Sequence, residues 1–298
     1  SALAWQQRVE MRTFKVLLLA AAVAFVAVAA AGCSSGRGKD IKVMTFNIRL
    51  SPREDFDGDN CWNNRREAVI RMLEESKPDL FGIQEGYITQ VNYMDEQLPD
   101  YGRYGVCRDD GLERGEANAI FWRKDRFDML ACDTYWLSET PDTVSLGWDG
   151  ACRRIVTWAH LRDKVAKRDV WFFNTHFDHV GKVAREEAGK LIMERMNAMV
   201  PKGDAIFLTG DFNANWDNPI LDPIRAELQE CRETAPVTTD ANTYNGWGNK
   251  DVPAGTDVID HIFYRGATAV SYELLNGDYG VPFISDHWPV VGSFKYSK

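Results

Sequence analysis

Two polar residues follow the strand-like stretch in "IFLTGDFNAN", and their types and spacing could support chemistry. Asp211 and Asn213 stand two residues apart, directly after an apolar run that ends at Gly210. Residues i and i+2 of an extended chain point to the same side. A carboxylate and an amide aimed together could hold a hard metal ion, a water molecule or a phosphate group. Gly, Asp and Asn also suit turns, so this stretch alone is equally open to interpretation as a polar turn.

Polar residues with similar chemistry stand at the ends of other strand-like stretches. Charged groups in apolar strands are costly unless they are paired or bound to a metal. One of these residues could be a buried carboxylate with its own hydrogen-bond partners. Several of them at separate strand ends are better explained if they converge on one site. The positions are Asn47 after "VMTF", Glu85 after "FGIQ", His176 after "WFFNT", Asp211 with Asn213, Asp260 with His261, and Asp286 with His287.

The elements that would position these residues alternate between strand and helix patterns. Helical spacing of apolar residues predicts helices in "NNRREAVIRMLEESKPD", stopped by Pro78, in "KVAREEAGKLIMERMNAMV" and in "NPILDPIRAELQE". Many strands broken by a few helices favour an α/β layered domain. Strands are predicted in "IKVMTFNI", "LFGIQE", "NAIFWRK", "RRIVTWAHLRD", "RDVWFFNTHF", "DAIFLTGDF", "VIDHIFYRG" and "HWPVVGSFKY".

The start of the chain has the pattern of a processing signal. From Met11, a basic segment with Arg12 and Lys15 precedes an uncharged apolar run, and small residues precede Cys33. This is typical of a bacterial secretory signal and resembles the lipobox of lipoproteins. A membrane anchor helix is the alternative, but the run is short for a membrane span.

We therefore expect residues 1–32 to be upstream residues plus a lipoprotein signal peptide. Cys33 would carry a lipid that anchors the protein to a membrane of the bacterial cell envelope, with the outer membrane favoured. The small polar residues 33–40 would form a flexible tether. Residues 41–298 are long enough for one large domain and contain no internal repeat.

The charge and the cysteines restrict the function. The formal net charge is −9, and removal of residues 1–32 makes it more negative. The net charge of the protein therefore does not attract nucleic acid. A polyanionic substrate would need a local basic site or a metal ion. The five cysteines after Cys33 form no Cys-x-x-Cys, which disfavours a zinc knuckle or a redox motif and leaves one or two disulfides open.

Six motifs resemble, in their order along the chain, those of the endonuclease/exonuclease/phosphatase superfamily, whose prototypes include deoxyribonuclease I and the major abasic-site endonuclease. They are "TFNIR", "IQE", "NTHFDH", "GDFNA", "IDHIF" and "SDHWPV". The resemblance runs from about Val43 to Val291. It implies an α/β (α+β) fold, a four-layer α/β-β/α sandwich of two packed mixed β-sheets flanked by helices. It also implies cleavage of phosphodiester or phosphomonoester bonds with Mg²⁺ or Mn²⁺.

The resemblance assigns a metal site and a water site. Glu85 matches the principal metal ligand, Asn47 the amide that supports the same site, and Asp286 an aspartate near the metal. Carboxylate and amide oxygens suit hard divalent ions. Asp211 and Asn213 match the pair that positions the attacking water and a phosphate oxygen. This role would explain why the two side chains are expected to point in the same direction.

Two histidine pairs also follow from the resemblance. His287 matches a histidine that acts as a base or phosphate contact, and Asp260 matches the carboxylate that orients it. His176 matches the histidine against the scissile phosphate in the deoxyribonuclease-like branch, where it pairs with a glutamate, here Glu116. The abasic-site branch has tyrosine at the position of His176, so the chain departs from that branch.

Substrate contacts are predicted with a structural alternative beside each. His179 lies in a loop where the family contacts phosphate, Arg185 follows that loop, and Arg154 precedes a strand whose edge it could instead cap. Trp216 and Trp247 could stack on a base or sugar, or pack at the rim.

Two histidines are expected to lie outside the chemistry. His160 lies inside a predicted strand and is expected to be structural. His261 follows Asp260 and so points to the opposite face of its strand.

Three functions are consistent with these residues. The first is a phosphodiesterase, including a nuclease, in the cell envelope, and the alternative is a phosphatase for a phosphorylated metabolite, sugar or lipid headgroup. A non-catalytic binding lipoprotein is disfavoured because Glu85, Asp211, Asp260 and His287 are all present. We expect a monomer whose partners are a phosphate ester and, through Cys33, a membrane.

Overall fold

The computed structural model describes residues 40–248 and 256–297. The predicted signal peptide, Cys33 and all but the last residue of the predicted tether lie outside the described residues. The helices and strands, in chain order, are β1 (Asp40–Asn47), α1 (Trp62–Ser76), β2 (Leu80–Gln84), β3 (Gly86–Tyr87), α2 (Ile88–Gln97), β4 (Tyr101–Tyr104), β5 (Glu116–Ala117), β6 (Ile120–Arg123), β7 (Phe127–Trp136), β8 (Ile155–Asp163), β9 (Arg168–His176), α3 (Lys182–Met199), β10 (Ala205–Asp211), α4 (Asp222–Arg225), β11 (Gln229–Glu230), α5 (Cys231–Thr234), β12 (Val237–Thr238), β13 (Asp260–Arg265), β14 (Ala267–Leu274) and β15 (Val290–Tyr296).

Two large sheets organise these strands. The first has the order β12-β14-β15-β1-β2-β6-β4, and the second has the order β11-β13-β10-β9-β8-β7. Each is mixed: β1 runs parallel to β2 and β9 runs parallel to β10, whereas β6 is antiparallel to β2, β8 to β9 and β13 to β10. The carboxyl ends of each parallel pair therefore meet at one edge of their sheet.

Alternating side chains of the central strands build both the inner and the outer layers. In β10, Ala205 and Phe207 join a core cluster that contains residues of both sheets, whereas Ile206 and Leu208 join a cluster with α3. Both faces of the strand are buried, which explains its nearly continuous apolar sequence. Helix α1 covers the outer face of the first sheet in the same way. The predicted four-layer arrangement, helices on either side of two packed mixed sheets, is confirmed.

A network of buried polar side chains lies between the two sheets, near the edge that the sheets share. Nε2 of Gln84 donates to Oγ1 of Thr45 at 3.0 Å and, across the sheets, to Oδ1 of Asn174 at 2.7 Å. Thr209 donates to the same oxygen at 3.1 Å. Gly82 permits this approach, since a Cβ there would lie 2.4 Å from the Asn174 amide. Because buried polar groups require partners, the network fixes how the two sheet edges meet.

The helix predicted in "NPILDPIRAELQE" is wrong as a continuous element. The structure has a 3₁₀ turn at Pro219–Leu221, the short helix α4, and then strand β11. Pro219 and Pro223 each start a new short turn, because proline removes a backbone donor and clashes with the preceding helical turn.

The described cysteines are all free: Cys61, Cys107, Cys132, Cys152 and Cys231. The disulfides left open by the sequence are therefore not formed among them. Within the described ranges, the helices are too short or too polar to cross a membrane.

Candidate active site

Strand register places three of the predicted residues side by side. Asp211 ends β10, where it is paired with His176 at the end of the parallel strand β9. On its other side it is paired with Asp260, the first residue of the antiparallel strand β13. One edge of the second sheet thus presents a carboxylate between a histidine and another carboxylate.

The first sheet brings the remaining residues to the same place. Asn47 ends β1, Glu85 directly follows β2, and Asp286 and His287 precede β15. Glu85 has a φ of 62°, a left-handed conformation that is uncommon for a residue with a side chain. Such conformations concentrate at functional sites. Here the turn allows the Glu85 carboxylate to reach the Asn47 side chain.

The amide of Asn47 joins the two sheets. Its Nδ2 donates to Oε1 of Glu85 at 2.9 Å and to Oδ2 of Asp211 at 3.0 Å, and its Oδ1 accepts from the backbone N–H of Arg49 at 3.0 Å. Leu50 N–H donates to the second Glu85 oxygen at 3.0 Å. Asn47 therefore orients both carboxylates.

His287 is held by Asp260 as predicted. Its Nδ1 donates to Oδ2 of Asp260 at 2.8 Å, and its Nε2 lies 3.8 Å from Oδ2 of Asp211. Burial opposes the charged form, but the Asp260 and Asp211 carboxylates outweigh burial and raise the pKa of His287 to about 10. Burial and the Asp260 charge raise the pKa of Asp211 to about 7. The carboxylates around the imidazole therefore favour its charged form.

His176 is neutral and has a free donor. Nδ2 of Asn213 donates to the carbonyl of Phe177 at 3.0 Å and to Nε2 of His176 at 3.1 Å. The His176 proton therefore resides on Nδ1, which is buried and has no hydrogen-bond partner among the described residues. Burial first, and then the nearby cations Arg154 and Arg108, lower the pKa of His176 well below its usual value. An N–H of this kind suits a phosphate oxygen.

The predicted pairing of Glu116 with His176 is not formed. Glu116 lies in β5, whose backbone is joined to the loop that carries Arg108, and its Oε1 accepts from Nη2 of Arg108 at 2.7 Å. The partner of His176 is Asn213 instead. Glu116 still lines the same cavity.

These residues surround one cavity of about 430 Å³. Its lining includes most of the predicted catalytic and metal-binding residues, with Asn47 and Asp260 behind them. Arg154 and His179, predicted as substrate contacts, also line it. The lining is Arg49, Leu50, Glu85, Arg108, Glu116, Cys152, Arg154, His176, His179, Asp211, Asn213, Tyr244, Ile259, Asp286 and His287.

Three predicted substrate contacts do not line the cavity. Arg185 donates to the backbone carbonyl of Asp178 at 2.8 Å and so supports the loop rather than a substrate. The carbonyl of Trp216 accepts from Arg225. Trp247 packs edge-on against Phe283 with ring centroids 6.4 Å apart, which is rim packing.

The two other histidines have structural contacts, as expected. His160 stacks on Trp171 with centroids 4.2 Å apart, and its Nε2 contacts Asp169 at 3.1 Å. His261 is fully buried, and its Nε2 lies 2.9 Å from the carbonyl of Ala214. Neither residue lines the cavity.

The carboxylates fit a hard divalent cation. Glu85, Asp211 and Asp286 are buried and line one cavity. Burial raises the pKa of Asp286, and the charges of His287, Arg49 and Arg65 only partly oppose this effect. Glu85, His176 and Asp211 each bring one donor atom within 4.8 Å of the others. Oxygen-rich sets of this kind suit Mg²⁺ or Mn²⁺.

Several lining residues were missed from the sequence. Arg49 lies 3.4 Å from Oδ2 of Asp286 and pairs with Asp57 at 2.9 Å. Tyr244 packs edge-on against His287 with centroids 5.0 Å apart. The arginine of "TFNIR" was a visible signal for Arg49, but Arg108 and Tyr244 lie in loops without periodicity.

Comparison with known proteins identifies the class. Residues 44–287 match the model of the Endonuclease/Exonuclease/phosphatase family. The chain belongs to this family, and the predicted fold and phosphoesterase class are confirmed.

Particular relatives include solved structures from Bacteroides. A mannosyl-6-phosphatase of Bacteroides thetaiotaomicron is 33% identical, with a TM-score of 0.81, and the match covers 86% of this chain and 100% of that one. A family protein of Bacteroides vulgatus is 32% identical, with a TM-score of 0.81, and the match covers 87% and 99%. An uncharacterized protein, L388, of Acanthamoeba polyphaga mimivirus is 26% identical over 86% of this chain and its own full length.

Proposed function

We propose that the protein is a divalent-metal-dependent phosphomonoesterase for a small phosphorylated metabolite, with a sugar phosphate as the favoured class. The observation that carries this proposal is the mixed lining of one cavity. Glu85, Asp211 and Asp286 contribute carboxylates to the lining, and Arg154 and His179 contribute cationic or donor groups. A dianionic terminal phosphate is complementary to such a site, because it can bridge a metal and a guanidinium.

Two further observations support a small substrate. The cavity of about 430 Å³ has the size of a small-molecule site. The formal net charge of −9 gives no general attraction for a nucleic acid backbone. The similarity to a protein described as a mannosyl-6-phosphatase favours the same substrate class, at 33% identity.

Each residue of the site that contacts the metal, the water or the phosphate has a defined role in the proposed reaction. When bound beside Glu85 and Asp286, a divalent ion would neutralise phosphate charge and favour deprotonation of an attacking water. Asp211 accepts the water proton, since its pKa is raised to about 7. His287, charged at neutral pH, stabilises the negative charge of the phosphate, and His176 donates from Nδ1.

This assignment selects one of the two roles that the sequence left open for His287. The sequence expectation gave it the role of base or phosphate contact. Its raised pKa favours the phosphate contact, because an imidazole that is already charged cannot accept the proton.

The second candidate is the phosphodiesterase that the sequence placed first. The shared metal site and water-positioning residues suit both reactions, so family membership favours neither. A panel with Mg²⁺ separates them: sugar 6-phosphates, bis(p-nitrophenyl) phosphate, DNA, RNA and a phospholipid. Faster turnover of the sugar phosphates supports the proposal. Turnover of diesters alone would replace it with the second candidate.

We also propose that the enzyme works as a monomer, anchored by Cys33 to a membrane of the bacterial cell envelope. The proposal of an anchor rests on the sequence of residues 11–33 alone.

A further inference from the structure

Asp178 lies in the loop between β9 and α3. It connects this loop to the loop between β7 and β8, and both loops lie beside the cavity. The residue is 2% exposed. Its Oδ1 accepts the backbone N–H groups of Val180 at 2.9 Å and Gly181 at 2.7 Å. Its Oδ2 accepts those of Ala151 at 3.0 Å and Cys152 at 3.2 Å. One carboxylate thus fixes the backbone on both sides of the gap between these loops.

The first loop supplies Cys152 and Arg154 to the cavity, the second supplies His179, and Arg154 contacts His179. Nη2 of Arg154 lies 3.1 Å from Nδ1 of His179. Because a guanidinium only donates, Nδ1 of His179 is the acceptor and its ring proton resides on Nε2. Nε of Arg154 lies 3.7 Å from Oδ2 of Asp178, an ion pair that holds the guanidinium from behind.

Arg154 retains an unused donor in a buried position. The residue is 6% exposed and lines the cavity. Its Nη1 is buried and has no hydrogen-bond partner among the described residues. A buried charged donor without an acceptor is costly, so the structure implies an anionic ligand atom at this position.

We infer that Asp178 is a positioning residue that holds Arg154 and His179 as an anion-binding pair, and that this pair selects phosphate groups with a third free oxygen. The inference rests on the proposed function and specifies how the site recognises its substrate class. No residue of the pair needs to take part in proton transfer.

The selection follows from oxygen counts. A phosphomonoester dianion has three non-bridging oxygens, whereas a phosphodiester has two and carries one charge less. A divalent ion held beside Glu85 and Asp286, together with His287 and His176, would account for two oxygens. Arg154 lines the same cavity as His176 and His287. The third non-bridging oxygen of a phosphomonoester would contact Arg154. A phosphodiester would place its second organic group at this position.

The test compares Arg154→Gln and Asp178→Asn with the wild-type enzyme in the presence of Mg²⁺. We expect kcat/KM for a sugar 6-phosphate to fall by about 10- to 100-fold, mostly through KM, as for loss of a charged hydrogen bond. The value for bis(p-nitrophenyl) phosphate should change by less than about threefold, which is the usual scale of a lost neutral contact. Arg154→Lys should recover part of the loss, because it restores the charge without the planar fork.

The matched control is Asp149→Asn. Asp149 joins the loop before β8 to the first turn of α3, next to the Asp178 loop, since its carboxylate accepts the backbone N–H groups of Val183 at 3.2 Å and Ala184 at 2.7 Å. It neither lines the cavity nor contacts Arg154. Asp149→Asn should keep the wild-type preference between the two esters. An equal loss of preference in Asp149→Asn would assign the effect to loop integrity and overturn the role of Asp178.

Calorimetry with inorganic phosphate and dimethyl phosphate tests the pair without turnover. Arg154→Gln should weaken binding of phosphate by about tenfold or more and leave dimethyl phosphate unaffected. Equal losses for the two anions, or equal losses of kcat/KM for the two esters, would overturn the inference. If the wild-type enzyme hydrolyses only diesters, the proposed function fails. The phosphate affinities then still decide whether Arg154 is an anion-binding residue.

Discussion

Nδ1 of His287 donates a 2.8 Å hydrogen bond to Oδ2 of Asp260, and both residues are almost completely buried. The bond joins the segment before β15 to the start of β13, and so it ties the first sheet to the second at the site. A charged imidazole is stable here because the carboxylates around it outweigh the effect of burial on its pKa.

The first prediction concerns this pair. His287→Ala should lower kcat by about 10²- to 10⁴-fold, the range for loss of a positioned proton-transfer or charge-stabilising group. Asp260→Asn should lower it less, because the ring remains but loses the carboxylate that holds its orientation and charge. Steady-state kinetics on correctly folded variants measures both effects. A larger loss in Asp260→Asn than in His287→Ala would contradict the assigned order.

The second prediction concerns His176. Removal of its Nδ1 donor in His176→Ala should lower turnover by at least about 10²-fold, as for loss of a donor aimed at developing charge. His160→Ala is the matched control, because His160 is also in the second sheet but contacts Asp169 and Trp171 away from the cavity. Kinetics and thermal melting of the two variants are compared. Equal losses of turnover in well-folded proteins would mean that the site is wrongly assigned.

Strand-end residues could be placed from the sequence, whereas loop contacts could not. Asp211 and His176 end parallel strands, and the end of a continuous apolar run predicts where such buried strands end. The partner of Glu116 depends on how the loop with Arg108 folds back, which no periodicity encodes. The same holds for Arg154 and Arg185, of which only the first reaches the cavity.

Strand β7 was missed for a related reason. It is the edge strand of the second sheet, and residues 128–131 are exposed in succession. A strand with one open edge and an exposed stretch shows no regular alternation of apolar and polar residues. Helix α2 likewise buries only Gln90, Val91 and Met94, too narrow a face for a clear helical pattern.

The third prediction concerns the lipid anchor. If Cys33 is acylated, Cys33→Ala should move the protein from the membrane fraction to the soluble envelope fraction or block its processing. Fractionation followed by mass spectrometry of the mature N-terminus measures this. Ser34→Ala is the control, since it leaves the acylated thiol in place. Unchanged membrane association and processing in Cys33→Ala would refute lipidation.

The fourth prediction concerns Asp178 and the pH dependence of stability. Burial alone would raise the pKa of this carboxyl, but four backbone N–H groups outweigh burial and hold the pKa well below its usual range. A carboxyl with a lowered folded-state pKa stabilises the protein above its unfolded pKa of about 3.9. That contribution is lost as the pH falls toward the folded-state pKa.

Asp178→Asn should therefore lower the free energy of unfolding by about 1.5–3 kcal/mol at pH 7, the range for hydrogen bonds to a charged group. The difference from wild type should shrink at pH values below about 4. Urea unfolding of both proteins between pH 7 and pH 3 measures it. A difference that stays constant over this range would show that the charge of Asp178 does not stabilise the loops.

The fifth prediction concerns the divalent ion. A cation that binds the buried carboxylates Glu85 and Asp286 only in the folded state should stabilise that state by RT ln(1 + [ion]/Kd), about 2.7 kcal/mol at a hundredfold excess over Kd. In a domain of this size that free energy corresponds to a rise in Tm of roughly 5–10 °C. Mg²⁺ and Mn²⁺ should both produce it, and chelator should abolish both the rise and the activity.

Glu85→Gln keeps an oxygen acceptor for Asn47 but removes the charge, so it should lose most of the metal-induced rise in Tm. Asp169→Asn, which changes an acidic residue away from the cavity, should retain it. Full activity in excess chelator, or an undiminished rise in Tm for Glu85→Gln, would exclude Glu85 as the principal ligand of an essential metal.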